Sequence, residues 1–237
     1  MLFLAVFCGF LAENFREHQV EKRREKEYMK EIVENLKYDS TRCSVNVVRN
    51  NNELMPGMDS LRNELEQAIN GNIHPNTLYY LSFQYTGQVN TAVFNSSAIT
   101  ELKNSGSLRL LENKKIVSEI ADYYERKITA TQQFIPNAQE VNKLSDEFFS
   151  LVDLDDLVQS YDSISAHTYS NTYNYQNILQ QQPVLHLLTT DRTELEKFYT
   201  KTSQYEIALK YYDFWLQYTK NAAKNLIADI QKEYNLQ

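Results

Sequence analysis

LEKFYTKTSQYEIALKYYDFWLQYTKNAAKNLIADI, residues 195–230, decides the fold. Leu195, Phe198, Thr202, Tyr205, Leu209, Tyr212, Leu216, Thr219, Ala223, Leu226 and Ile230 step by three and four in strict alternation, a heptad seam of about five repeats. Thr189, Thr190 and Asp191 offer caps in front of it, with Glu194 in the first turn. So narrow a seam needs a partner helix. A matching stripe runs through Met29, Ile32, Val33, Leu36, Cys43, Val47, Leu54, Leu61, Leu65 and Ala68. The expected partner is therefore this stretch of the same chain, with another copy as the alternative.

Between these two stripes the punctuation is sparse. Five Gly and four Pro in 237 residues suit long helices better than a turn-rich β fold. Pro56-Gly57 should kink or break the first stripe near Met55, and a helix from about Leu61 to Ile69 should close at Asn70-Gly71. Leu78 to Leu81 suggests a short helix and Tyr85 to Gly87 a turn. Further helices are expected over Ala92–Lys103, Leu108–Phe134 and Val141–Leu157, with a turn at Asn104–Gly106 and a stop at Pro136. Ser160 to Pro183 is rich in Tyr, Asn, Gln and Ser and reads as an extended loop.

The amino terminus, MLFLAVFCGFLA (Met1–Ala12), is apolar until Glu13. At about 1.5 Å per residue it reaches only about 18 Å of the about 30 Å of hydrocarbon in a bilayer. It lacks the basic start and cleavage site of a secretory signal, and Phe7 ahead of Cys8 argues against lipidation there. A buried core helix, an interfacial anchor and the second half of a span are the three readings. From Glu13 to Lys37 seven basic and seven acidic residues follow, with pairs such as Glu27 and Lys30 at helical spacing. An apolar helix running straight into a solvated one favours the membrane reading.

The charged helix ending EYMKEIVENLKYD (Glu27–Asp39) carries a resemblance, as does TAVFNSSAITELKNSGSLRLLENKKI (Thr91–Ile116) followed by Ile120 to Tyr124. Together they resemble the single-span membrane proteins of Bacteroidota grouped as domain of unknown function 6090. ELKNSGSL, Glu101–Leu108, is the more specific motif; the likeness is weaker through Ser160 to Pro183. The resemblance implies a membrane helix followed by a helical extracytoplasmic domain, in the inner membrane, single-pass, with the C-terminal domain in the periplasm. It assigns no catalytic residue. Members carry residues ahead of the span, whereas Met1 falls inside it here, so residues 1–14 are expected to be the C-terminal half of a transmembrane helix. Counting Lys and Arg alone would place Lys22–Lys26 in the cytoplasm; the family's orientation is the one adopted.

No catalytic constellation is legible. His18, His74, His167 and His186 lack a second ligand at metal spacing. Asp146, Glu147, Asp153, Asp155 and Asp156 resemble a calcium loop only loosely, and Phe148, Phe149, Leu151 and Leu154 among them fit an amphipathic helix instead. Cys8 and Cys43 lie too far apart on one helix to pair. A formal charge of -7 argues against nucleic acid. Two candidate contact sites remain. Ser97, Thr100, Glu101 and Ser105 could line a small pocket, although helix capping explains most of that stretch. Tyr169, Tyr173 and Tyr175 offer aromatic faces for a ligand or partner, although a solvent-exposed loop explains them better.

The expected fold class is all-α, a long-helix bundle extending from an N-terminal membrane helix, with residues 15–237 as one helical domain holding the Tyr/Asn-rich loop. The expected role is a membrane-anchored, non-enzymatic module, sensor-like or ligand-binding, without catalytic, cofactor or metal residues. The alternative is a structural or assembly subunit of a cell-envelope complex, holding a protein partner or a second copy through the C-terminal helix. A polar pocket between helices would favour the first; an exposed seam along Leu195–Ile230 would favour the second.

Overall fold

The computed structural model describes residues 2–86, 91–109, 111–136, 138–153, 155 and 185–236. The Tyr/Asn-rich stretch at 160–183, with Tyr169, Tyr173 and Tyr175, lies outside them, as does His167. Helices account for nearly all of the described chain, joined by one isolated antiparallel bridge, Val152 to Leu187. In chain order they are α1 (Leu2–Arg49), a π-helical turn (Asn50–Leu54), α2 (Met55–Ile69), α3 (Pro75–Tyr85) and α4 (Ser97–Asn104). A short 3-10 turn (Ser107–Arg109) precedes α5 (Lys114–Asp122), a second π-helical turn (Tyr123–Lys127), α6 (Ile128–Gln133), α7 (Ala138–Leu151) and α8 (Arg192–Tyr234). Where the sequence is read as one helical domain from residue 15, the chain divides into two compact units.

The first unit comprises Met1–Val45, Ala92–Gln133 and Trp215–Gln237. Its core joins Met29, Ile32 and Leu36 of α1 to Ile99 and Leu102 of α4, Ile116 and Ile120 of α5, and Ala223, Leu226 and Ile230 of α8. The second unit comprises Asn46–Thr91 and Phe134–Phe214. There Met58, Leu61 and Leu65 of α2 meet Leu78 and Tyr79 of α3, Leu144 and Phe148 of α7, and Leu195, Phe198, Tyr205 and Leu209 of α8. Phe148 stacks on Phe198 and meets Tyr79 edge-on, with centroids 6.2 and 5.9 Å apart. Every residue of the α8 seam is buried, covered in each unit by the chain's own earlier helices. The intrachain partner is the one found.

Local chemistry explains where the helices stop. Gly71, at φ 91°, closes α2 with paired bonds from its own N–H to Ala68 O and from Asn72 N–H to Gln67 O, the Schellman arrangement. Asp191 caps α8, its Oδ1 accepting from Thr193 and Glu194 N–H. Pro56 does not end a helix but sits in the first turn of α2, just after the π-helical turn.

Two expected helices are corrected. The one over Ala92–Lys103 begins only at Ser97, because Asn95 Oδ1 accepts from Ser97 N–H and turns the chain first. The one over Leu108–Phe134 is interrupted by Asn113, whose side chain accepts from Lys115 and Ile116 N–H and starts α5 afresh, and then by the π-helical turn. At the amino terminus α1 is exposed from Val6 to Gln19, with Phe10 64% and Phe15 65% exposed. No helix among the described residues is long and apolar enough to cross a membrane.

Candidate functional site

The first unit holds a buried polar cluster and, beside it, an open groove; they share Tyr123. The cluster begins with the α1 stripe. Stepping from Met29 by three and four gives Ile32, Leu36, Asp39 and Cys43, so a carboxylate occupies a seam position. Asp39 is 0% exposed. Its Oδ1 accepts from Asn95 N–H at 2.7 Å and its Oδ2 from the Tyr123 hydroxyl at 3.1 Å. Burial pushes the Asp39 carboxyl up to about 6, and the two donors only partly oppose that rise.

Its neighbours follow the same logic. Burial, with the adjacent Asp39 charge, raises Tyr123, and the same two causes push the Cys43 thiol up to about 12. Cys43 is therefore a protonated, buried thiol, the opposite of a reactive one. Tyr124 is raised by burial and then by Asp39. Its hydroxyl has no partner in hydrogen-bond geometry among the described residues, although the Asn35 amide lies close enough to oppose the rise. Asn35 itself donates to Ser97 Oγ at 3.2 Å.

The groove opens between α5 with its π-helical turn and α8, enclosing about 560 Å³. Glu119, Asp122, Arg126 and Lys127 line one side, and Tyr218, Asn221, Asn225 and Asp229 the other. The π-helical turn builds its charge pattern. Asp122 meets Lys127, five residues on, at 2.7 Å and Arg126 at 2.9 Å. An α-helix brings residues three and four apart together, whereas the wider i→i+5 turn admits the longer spacing. The Lys127 ammonium also lies 5.1 Å from the Tyr218 ring centroid. The hydrogen bond from Lys127 holds the Asp122 carboxyl below its ordinary range, and Asp122 in turn raises Lys127. Both cations of the groove thus share the one carboxylate of Asp122. Glu119 differs: among the described residues its Oε1 meets Lys115 at 3.5 Å and its buried Oε2 has no hydrogen-bond partner.

Of the residues expected to line a pocket, Ser97, Thr100 and Glu101 are exposed on α4 and Ser105 caps its C-terminus. Ser97 Oγ is engaged with Asn35, and Ser105 Oγ donates to Leu102 O or to Ser107 Oγ. None of the four lines the groove. His18 and Glu112 approach to 3.9 Å, and His74 Nδ1 meets Glu64 at 2.8 Å as a structural pair. No group of three or more His, Cys, Asp or Glu side chains able to hold a metal forms among the described residues.

Sequence reading missed the groove because Asn221, Asn225 and Asp229 fall off the seam and resemble an ordinary solvated face. The available signal was the i, i+3, i+7 run of Glu119, Asp122 and Arg126 on a helix that also carries core residues. Asp39 was legible too, as a charged residue on a seam step. No family model matches the chain, and neither does any curated protein or solved structure.

Proposed function

We propose that the chain is a membrane-tethered, non-enzymatic helical module that binds a small polar ligand in the groove of the first unit, in a sensor-like role. The groove carries the reading. Its volume of about 560 Å³ falls in the range of small-molecule sites, and it is lined by carboxylates, amides and tyrosines. The side chains gathered there suit binding more than bond-making: the two cations are engaged by Asp122 and the nearby thiol is held protonated. Burial of the whole α8 seam within the chain also favours this role over one that uses the seam for assembly.

Exposure of Val6, Phe7, Phe10 and Leu11 supports seating residues 1–14 in a bilayer as part of a membrane helix. The resemblance carried by Glu27–Asp39 and Thr91–Ile116 is what supports membership of the 6090 family. With it come an inner-membrane, single-pass placement and a periplasmic C-terminal domain. One observation favours assembly as the second reading. Ile207, Tyr211 and Phe214 in the second unit are exposed on one face of α8, with Phe134 stacked on Tyr211. That face could hold a protein partner of a cell-envelope complex.

The test is a thermal-shift screen of small polar compounds against the 237-residue chain and Asn225→Trp, which changes an exposed groove residue. Ligands that stabilise the first and not the second support the proposal. Equal shifts in both, or none in either, refute it.

A further inference from the structure

In the second unit α8 carries a further seam on its outer face. Ile207, Tyr211 and Phe214 step by four and three, the d-a-d alternation of a coiled coil, and are 55%, 59% and 60% exposed. Phe134 widens the stripe: its ring stacks on Tyr211 with centroids 6.3 Å apart and is itself 40% exposed. The inner seam of the same stretch is filled by the chain's own helices. Resting on the second reading, in which this outer face is an assembly surface, we propose that its occupant is a second copy of the chain. The two α8 helices then run parallel about a twofold axis.

Self-complementarity carries the choice of partner. A parallel pair sets each of the three stripe residues against its own copy, a on a and d on d. An antiparallel pair stacks a on d, and a stripe of one a and two d residues leaves one of them without a counterpart. The flanking charges agree. In this register Glu196 falls at g and Lys201 at e, at the spacing where a g residue of one parallel helix meets an e residue of the other. The twofold axis forms that ion pair twice. Size sets the strength. At about 200 Å² for each large side chain, the four apolar residues expose about 400 Å² per copy, so pairing covers about 800 Å² of them. Thr200, Gln204 and the charged pair at the rim bring the interface to about 1,000–1,200 Å², the lower end for a specific complex. Such a dimer dissociates in about the micromolar range.

Sedimentation equilibrium of the full chain, in a mild detergent that shields residues 1–14, reads the association. The parent should show a monomer–dimer equilibrium with a Kd of about 1–100 µM. Tyr211→Glu/Phe214→Glu, a change at exposed positions, should stay monomeric over that range with an unchanged circular dichroism melt. Lys201→Glu should weaken the dimer about tenfold, because two like-charge contacts replace two ion pairs. Glu196→Lys/Lys201→Glu should restore it, which a merely structural role for either residue does not predict. A parent that is monomeric at about 100 µM, an undiminished dimer in Tyr211→Glu/Phe214→Glu, or a Lys201→Glu defect that the reversed pair leaves unrescued overturns the proposal. If the parent is monomeric and its co-purifying proteins are lost in Tyr211→Glu/Phe214→Glu, the second copy falls and the assembly surface stands. If parent and variant carry the same proteins, both fall.

Discussion

Replacing Asp39 by asparagine removes the one carboxylate of the buried cluster while keeping an oxygen for the Asn95 N–H. The new amide nitrogen faces the Tyr123 hydroxyl, which can turn from donor to acceptor. The consequence is a change in how stability depends on pH. In the folded chain the Asp39 carboxyl titrates near about 6, above its ordinary 3.8. Below the lower value it is protonated in both the folded and unfolded states and makes no difference. Between the two values the folded state holds a proton that the unfolded state has released, so stability falls as pH rises. Above about 6 the full cost of a buried charge is present. An interval of about two pH units at about 1.4 kcal/mol each amounts to about 3 kcal/mol.

Urea unfolding followed by circular dichroism, at about pH 4 and about pH 7, measures this directly. Asp39→Asn should gain on the parent chain as pH rises, the difference between the two growing by about 3 kcal/mol across the window. Comparing the two proteins cancels the carboxylates they share. Parallel pH profiles would show that Asp39 does not sit in the desolvated environment described, and the reasoning fails.

Other parts of the fold make separate demands. Thr131 and Thr219 share a buried hydroxyl contact of 2.6 Å; Thr131→Val alone should cost about 1 kcal/mol, leaving Thr219 only its longer bond of 3.4 Å to Lys127 O, and the double valine variant should cost less than the sum of the two singles. A double-mutant cycle in urea with additive singles would show that the pair is not coupled. A Cβ built at Gly57 falls 2.2 Å from the Tyr85 ring, so Gly57→Ala should lose about 1–3 kcal/mol. That loss should shrink when Tyr85 is also alanine; an unchanged melting temperature in Gly57→Ala contradicts the close approach. Phe10→Glu/Phe15→Glu should abolish flotation with phospholipid vesicles if α1 seats its apolar start in a bilayer, and flotation equal to the parent's argues against that seating.

Much of this fold was legible because its signals are local. The alternation from Leu195 to Ile230 needs only a helix and a partner, and a matching stripe in α1 and α2 supplies one. Gly71 and Asp191 act on their own turns, so sequence alone suffices for them. What escaped depends on distant residues. Nothing local announces that the Asn95 N–H is tied to Asp39, 56 positions away. The π-helical turns at Asn50 and Tyr123 are set by contacts as well. Asn50 and Asn51 both donate to Asp213 at 2.7 Å, across more than 160 positions. The groove escaped for the same reason: Glu119 and Asn225 become neighbours only once α5 and α8 have packed.

The claim that the groove is the ligand site is tested most directly by amide chemical-shift mapping. A compound that stabilises the chain is titrated into uniformly nitrogen-15-labelled protein. The account predicts that the largest perturbations gather on Glu119, Asp122, Lys127, Tyr218, Asn221, Asn225 and Asp229. Perturbations concentrated in the second unit, or spread evenly over both, would contradict it.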